Sequence, residues 1–278
     1  LFWGLRGGGG NCGIVTEFEF RLHDVGTRTL VAEYDFPLDA AASALRAWRD
    51  LNASAPREAT FAASIGADGM TTVGFVWVGD PDRGRRLLPE LRALGRPVAE
   101  RVQEMTYLDL QVREDSIEGH QYRRYWKGHF LPDLSDDAIE VFVRRGTADG
   151  HGDLLPNVGL QAYGGAIAEV PDSDSAFSHR DTRFEFVAAA KWDDPAEDAE
   201  RMAVARRCAA ALDPFARGVY VNALSDDGAG GVRRAFSPDK LARLTAVKDA
   251  YDPANVFHLN ANVPPSRRDD VELSASPG

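Results

Sequence analysis

Residues 60–79 read TFAASIGADGMTTVGFVWVG. The tripeptide Ala67-Asp68-Gly69 lies between two runs that are rich in apolar and β-branched residues. A short cluster of this kind is a turn signal, and the runs around it have the composition of strands. The segment therefore predicts two antiparallel strands joined by a short turn.

Strands and helices alternate on both sides of this hairpin. Leu38, Ala41, Leu45 and Trp48 recur at three- and four-residue spacing, which predicts a helix that ends near Pro56. The other predicted strands cover 30–36, 97–105, 158–169 and 183–192, and the other predicted helices cover 82–94, 135–145 and 197–212. We therefore expect an α+β fold in which an antiparallel sheet is flanked by helices, and the open face of the sheet is free for binding.

Composition limits the classes of function. The chain has 278 residues, of which 44% are hydrophobic and 27% charged, enough for one large domain or two moderate ones. Its net charge of -11 argues against nucleic acid and against an anionic membrane surface as partners. We find no apolar run of membrane-spanning length. Composition leaves the cellular compartment open.

Motifs for metal and hydrolase chemistry are absent from the sequence. The histidines show no ligand spacing, and neither HExxH nor GxSxG occurs, so we predict no metal site. The histidines are His23, His120, His129, His151, His179 and His258. Cys12 and Cys208 match no metal or CxxC spacing, which favours free thiols.

The chain begins with a glycine-rich stretch, LFWGLRGGGGNCGIVTEFEF. Phe18, Phe20 and Leu22 alternate with polar residues, which predicts that the glycines lead into a strand. Rossmann and Walker phosphate loops are therefore excluded, because their glycines open a helix. Two interpretations stay open: a plain flexible turn, or a place where backbone approaches another backbone or a flat ligand.

The C-terminal part has a different pattern. Residues 218–224 (GVYVNAL) predict a strand, and residues 228–231 (GAGG) predict a loop. Ser237-Pro238 predicts a helix start, with serine as N-cap and proline at the first helical position. Ser237 and Lys240 also form an SxxK pattern, but the SDN and KTG boxes are absent, so capping is the favoured role.

Three stretches together resemble one family. LFWGLRGGGGNCGIVTEFEFRLHDVG at the start, LQAYGGAIAEVPDSDSAFSHRDTRF in the middle and GVYVNALSD followed by LTAVKDAYDPANVFHLNANVPP at the end are similar to FAD-linked oxidases of the berberine bridge enzyme type. The last stretch is the most specific. The order and spacing of the stretches agree with that family along essentially the whole chain.

The resemblance implies a domain organisation. Residues 1–28 would end an FAD-binding domain, residues 29–215 would form the substrate domain, and residues 216–265 would return to the FAD domain. Residues 266–278 would be a flexible tail. The resemblance also implies that an N-terminal FAD-binding half precedes this chain, on the same or another polypeptide. We therefore expect this chain alone to bind FAD weakly or not at all. We also expect it to expose an apolar face formed by Ile14, Phe18, Phe20, Val256, Phe257 and Val263.

The resemblance further implies site residues. Tyr220 matches the family's catalytic base, and Asn222, two positions later, would point the same way. Tyr163 matches a second aromatic residue that would hydrogen-bond Tyr220 and favour its phenolate. The expected cofactor-binding residues are Gly10, Asn11, Gly13, Ile14, Val15, Asn222, Tyr251, Asn255, Asn260 and Asn262. Trp126 and Lys127 are candidate substrate contacts.

The chemistry implied is oxidation of a small molecule that bears a hydroxyl or amine, by hydride transfer to FAD, with dioxygen as the electron acceptor. A different class stays open: a flavin-free ligand-binding or vestigial protein that keeps only the substrate domain. Simpler interpretations of single residues also stay open. Tyr163 and Tyr220 would be half-buried strand residues, and Trp126 and Lys127 would lie on an edge strand with the lysine extended to solvent.

Overall fold

The computed structural model describes residues 1–113, 115 and 122–266. The strands are β1 Arg28–Phe36, β2 Ala59–Ile65, β3 Thr71–Val78, β4 Ala99–Thr106, β5 Arg123–Leu131, β6 Asn157–Ala162 and β7 Phe184–Trp192. They form one seven-stranded sheet in the order β4-β1-β3-β2-β6-β7-β5. Every neighbouring pair is antiparallel, which confirms the predicted sheet and its hairpin at residues 60–79.

Helices connect the strands and cover one face. They are α1 Phe2–Leu5, α2 Leu38–Ser54, α3 Pro81–Gly84, α4 Leu88–Arg92, α5 Tyr107–Val112, α6 Asp136–Arg144, α7 Ala166–Glu169, α8 Asp198–Ala210, α9 Gly228–Ala235 and α10 Pro238–Tyr251. The helix predicted over 82–94 is broken by a 3-10 turn at Arg85–Leu87. In the described part of the chain, no helix is both long and apolar enough to cross a bilayer.

The main core lies between the sheet and its helices. Strand β7 alternates strictly, with Phe184 and Phe186 buried and Glu185 half-buried on the other face. Helix α2 buries Leu45 and Trp48 against the sheet. The alternation leaves the opposite face of the sheet open, as the sequence predicts.

A second core joins the beginning of the chain to its C-terminal part. Val219, Val221, Leu244 and Val263 are buried together, and Trp3 packs against them. The expectation that Val263 is exposed is therefore wrong. The predicted domain boundaries remain a prediction. Residues 267–278 of the predicted tail and His120 lie outside the described residues.

The strand predicted over residues 14–22 is wrong. These residues have no regular secondary structure, and their side chains are exposed. A strand needs hydrogen-bonded neighbours, and within the described ranges no strand pairs with this stretch. The alternating apolar and polar residues therefore produce an exposed apolar surface here and not a strand at the edge of the sheet.

Three further predictions near the C-terminal half need correction. Strand β6 ends at Ala162, because Gly165 adopts a positive φ of 53° and starts α7. Residues 218–224 form no strand: Gly218 makes a single bridge with Phe130, and Val221–Ala223 is a 3-10 turn. Residues 228–231 are the first turn of α9 rather than a loop. The predicted Ser237 cap is confirmed, since its side chain accepts a hydrogen bond from the Lys240 backbone N–H.

Candidate functional site

The open face of the sheet carries polar and aromatic side chains at its β6-β7-β5 end. The register places Glu185 directly opposite Phe130 of β5 and Gln161 of β6. Because side chains alternate along a strand, Trp126 lies on this face too, and it is 46% exposed. This end of the face therefore presents hydrogen-bonding groups beside aromatic rings.

Phe130 is the ring around which two predicted site residues meet. Its centroid lies 5.6 Å from that of Tyr163 and 6.2 Å from that of Tyr220. Phe177 completes the group at 6.0 Å. The Phe130 N–H donates to the Gly218 carbonyl at 2.8 Å, which fixes the chain just before Tyr220. The fold thus brings the two tyrosines to one place, as the sequence predicts.

Tyr220 and Asn222 are directly bonded. Asn222 Nδ2 donates to Tyr220 Oη at 2.8 Å. We expected the two side chains to share a direction because of strand alternation, and they do meet, although the backbone there is a 3-10 turn. An N–H donated to a phenol oxygen stabilises the charged form of the phenol.

The hydrogen bond expected between Tyr163 and Tyr220 is replaced by another one. Tyr163 Oη donates to Glu185 Oε2 at 2.5 Å. Burial first, and then Glu185 and the charge of Tyr220, raise the pKa of Tyr163 far above its ordinary value. Burial also raises the pKa of Glu185, and the Tyr163 bond offsets this only in part. Tyr163 therefore keeps its proton. Sequence reasoning missed Glu185, whose only signal is that it is the one acidic residue of a mostly apolar strand.

Trp126 and Lys127 point to opposite faces of β5. Lys127 lies on the helix-covered face, opposite Ala188, and its Nζ is 2.7 Å from carboxylate oxygens of both Asp226 and Asp227. It therefore does not join Trp126 on the open face, and its role as a substrate contact stays a prediction. Adjacent strand residues cannot share a face.

Close approach explains the glycine-rich turn. A Cβ on Gly7 would lie 2.4 Å from the Phe177 backbone nitrogen, and Gly7 has a φ of +105°. A Cβ on Gly10 would lie 2.6 Å from Asn260 Nδ2. Of the two interpretations left open by the sequence, the packed turn is thus the one that the structure supports. The turn is held against residues 253–264, which follow α10 and are called the closing segment below.

The Asn11 side chain joins these two segments by hydrogen bonds, and it is called the Asn11 clamp below. Its Nδ2 donates to the carbonyls of Gly8 and Ala261, and its Oδ1 accepts from the Val263 N–H at 2.8 Å. The side chain is buried and used inside the protein. Gly13, Ile14 and Val15 follow the clamp, and the side chains of Ile14 and Val15 are exposed.

The closing segment contains two unsatisfied asparagine oxygens. Within residues 1–113, 115 and 122–266, Oδ1 of Asn255 and Oδ1 of Asn262 are buried without a hydrogen-bond partner. Asn255 also has a positive φ of 53°. Asn260 faces Gly10, whereas Tyr251 ends α10 and is 55% exposed. Buried unpaired acceptors are uncommon in proteins and point to a missing donor.

A buried ion pair supports the same region and was missed by sequence reasoning. Lys248 Nζ donates to Asp252 Oδ2 at 2.5 Å and to the Asn11 and Phe257 carbonyls. The i,i+4 spacing of the two residues at the end of α10 was the available signal. The described residues contain no cluster of three or more potential metal ligands.

Comparison with known proteins agrees with this arrangement. The family described as "Berberine and berberine like" matches residues 219–264, which include Tyr220, Asn222 and the closing segment. The family resemblance is confirmed. Residues 219–264 are called the berberine-like segment below.

Relatives along nearly the whole chain are named as FAD-linked oxidoreductases or as oxidases. An uncharacterised FAD-linked oxidoreductase, YvdP, of Bacillus subtilis is 26% identical over 96% of this chain and 61% of its own length. (R)-6-hydroxynicotine oxidase of Paenarthrobacter nicotinovorans is 27% identical over 95% of this chain and 60% of its own length. The chain thus spans about three fifths of the length of these relatives, and it corresponds to their C-terminal part.

Solved structures show the same fold. A chitooligosaccharide oxidase superposes with a TM-score of 0.80 at 20% identity, covering 96% of this chain and 61% of the other. A xylooligosaccharide oxidase from Myceliophthora thermophila, solved with xylobiose, also has a TM-score of 0.80, at 20% identity, covering 96% of this chain and 62% of the other. At this identity the likeness concerns the fold alone.

Proposed function

We propose that this chain provides the substrate wall and the catalytic base of an FAD-linked oxidase that acts on a small molecule bearing a hydroxyl or amine. The observation that carries the proposal is Tyr220 Oη, held by Asn222 beside Phe130 at the end of the open sheet face. Both Tyr220 and Asn222 lie in the berberine-like segment.

The residues of the closing segment fit a flavin. The unpaired Oδ1 atoms of Asn255 and Asn262 need hydrogen-bond donors, and a flavin ring and its ribityl chain provide N–H and O–H groups. Gly10 and Asn260 form a close-packed edge beside them. Asn222 and Tyr251 complete the proposed cofactor set. Asn11 acts through its clamp, and Gly13, Ile14 and Val15 stay predictions.

The protein's own residues handle the proton. FAD, held by the proposed cofactor set, would supply the acceptor for a substrate hydride and the route by which electrons reach dioxygen. Tyr220 Oη accepts the proton of the substrate hydroxyl or amine, and the hydrogen bond from Asn222 Nδ2 holds that oxygen in place. Tyr163 keeps its proton and is the weaker candidate for the base.

We also propose that a further FAD-binding segment, on the same or another polypeptide, completes the cofactor site. Two observations support this. The relatives are longer than this chain, which spans about three fifths of them. Residues 14–22 carry exposed apolar side chains next to the Asn11 clamp, and such surfaces are typical of docking sites.

Replacing Tyr220 with phenylalanine tests the function. Tyr220→Phe keeps the ring and removes only the hydroxyl, so we expect normal folding and flavin content but flavin reduction slower by roughly a hundredfold. The measurement is anaerobic stopped-flow reduction of the flavin-loaded protein that includes the FAD-binding segment, with chitooligosaccharides, xylobiose and (R)-6-hydroxynicotine as trial substrates.

The matched control is Tyr107→Phe, at the start of α5 beside the far edge strand β4. It should reduce its flavin at the wild-type rate. An unchanged rate in Tyr220→Phe would overturn the assignment of the base. A chain that takes up no flavin even together with its FAD-binding segment, and is reduced by no trial substrate, would favour the flavin-free alternative.

A further inference from the structure

Glu185 lies at the centre of the tyrosine site. It projects from β7 onto the open face, between Phe130 on one side and Gln161 on the other. In the described part of the chain, the only hydrogen-bond or ion-pair partner of its carboxyl group is the Tyr163 hydroxyl, at 2.5 Å. The hydrogen bond from that hydroxyl therefore replaces hydrogen bonds to water that the carboxyl group loses on burial.

Other carboxyl groups on the same face are paired with cations. Glu33 is bonded by Arg101 and Arg113, and Asp35 is bonded by Arg101. A half-buried carboxyl group without a cation binds an available hydroxyl proton strongly, because hydrogen bonds to a charged acceptor are about twice as strong as neutral ones. The hydroxyl proton of Tyr163 is thus held in the hydrogen bond to Glu185.

The same geometry separates the roles of the two tyrosines. Both rings pack on Phe130, but Tyr163 donates to a carboxylate, whereas Tyr220 accepts from an amide. A carboxylate acceptor disfavours the loss of the phenol proton, and an amide donor favours it. We propose that Glu185 is a positioning residue that holds the proton of Tyr163 and so leaves Tyr220 as the one phenol of the pair that accepts a proton from substrate.

The charged groups that face Tyr163 agree with this role. Glu185 faces it from β7 and Tyr220 from the berberine-like segment, and both raise the pKa of Tyr163 in addition to the effect of burial. The role of Tyr220 rests on the proposed function. The effect of Glu185 on Tyr163 does not depend on it.

The test follows the ionisation of Tyr163 by NMR. The protein is labelled with ¹³C at the tyrosine ring carbon that bears the hydroxyl, the Tyr163 signal is assigned with Tyr163→Phe, and spectra are recorded up to about pH 11, one unit above the ordinary tyrosine pKa of about 10. In the wild type we expect no ionisation of Tyr163 in this range. In Glu185→Gln, which removes the charge and keeps the shape, Tyr163 should begin to ionise within this range, whereas the wild type does not.

Two controls make the result specific. Glu33→Gln makes the same change at another position of the open face and should not move the Tyr163 midpoint. If Glu185→Gln does not fold, Glu185→Asp shortens the side chain by one methylene and should move the midpoint in the same direction by less. A Tyr163 signal that is unchanged in the folded Glu185 variant, or equally shifted in Glu33→Gln, would overturn the proposal.

The Tyr163 titration and the Tyr220→Phe kinetics can fail independently of each other. Unchanged flavin reduction in Tyr220→Phe would remove Tyr220 from catalysis while the titration of Tyr163 still responded to Glu185. Conversely, a Tyr163 signal insensitive to Glu185 would overturn the present inference and leave the Tyr220 experiment unaffected.

Discussion

Asp252 ties the end of α10 to two other segments. Its carboxylate bonds the buried Lys248 and accepts the backbone N–H groups of Val256 and Phe257. Lys248 in turn bonds the carbonyl of Asn11. Asp252 and its partner Lys248 thus fix the positions of the glycine-rich turn, the helix and the closing segment relative to one another. These segments form the proposed flavin-binding edge.

This arrangement predicts a pH-dependent stability difference. Burial alone would raise the pKa of Asp252, but Lys248 and the two backbone N–H groups outweigh it and lower the pKa to about 2. The folded-state pKa lies below the unfolded value of about 3.9, so the contribution is complete above that value and is lost as the pH falls towards about 2.

We therefore expect Asp252→Asn to lower the unfolding midpoint most at neutral pH, with the gap to the wild type closing below about pH 4. Urea unfolding followed by circular dichroism between neutral and acid pH measures this gap. The exposed Asp153→Asn is the control and should show no such convergence. A gap that stays constant down to pH 3 would contradict the assignment.

Among the secondary-structure elements, α9 shows why a glycine cluster is not always a loop. The helix starts at Gly228 and packs Val232 and Ala235 into the second core. A Cβ on Gly231 would lie 2.4 Å from Asp227 Cβ and 2.8 Å from Leu224 Cδ2. A Cβ on Gly230 would meet no atom within 4 Å. Packing therefore requires glycine at position 231, whereas position 230 has room for a side chain.

A pair of alanine substitutions tests this difference. Gly231→Ala should destabilise the protein by about 1–3 kcal/mol through overpacking against the turn that follows Tyr220. Gly230→Ala should stabilise it by about 0.5–1 kcal/mol, because alanine loses less entropy in a helix. Thermal unfolding of both variants decides the matter, and the opposite order of stabilities would show that α9 is placed wrongly.

At the scale of the whole molecule, the notable feature is an exposed apolar stretch. Ile14, Phe18, Phe20 and Leu22 are exposed by 82%, 66%, 71% and 88%. The rings of Phe18 and Phe20 stack at 5.5 Å. Val256 of the closing segment is also exposed. A surface of this kind binds apolar partners or associates with itself.

We expect the 278-residue chain to bind an environment-sensitive apolar dye and to self-associate. Replacing both Phe18 and Phe20 with serine should reduce the dye signal by about half or more, because these rings contribute most of the stretch's aromatic area. Leu108→Ser removes an equally exposed side chain from α5 and should change it little. Light scattering that shows a monomer, with no dye bound, would count against this surface.

The sequence by itself determined the local elements and the family. Turn chemistry at Ala67-Asp68-Gly69 and the spacing of Leu45 and Trp48 fixed a hairpin and a helix, because both signals act between residues close in the chain. The Ser237 cap was readable for the same reason. The closing motif, with Tyr220 before it, identified the oxidase resemblance that the comparisons confirm.

Only the tertiary structure decided which groups meet. Alternation over residues 14–22 reported an apolar face but could not show that a pairing strand was absent from the described residues. Tyr163 bonds Glu185 instead of the expected Tyr220, because the chain just after β6 is held beside the start of β7 by the bond from the Tyr163 N–H to the Arg183 carbonyl. Lys127 pairs with Asp226 and Asp227 on the face opposite to Trp126. Hydrogen-bond partners far apart in the chain depend on packing, which periodicity along one segment does not encode.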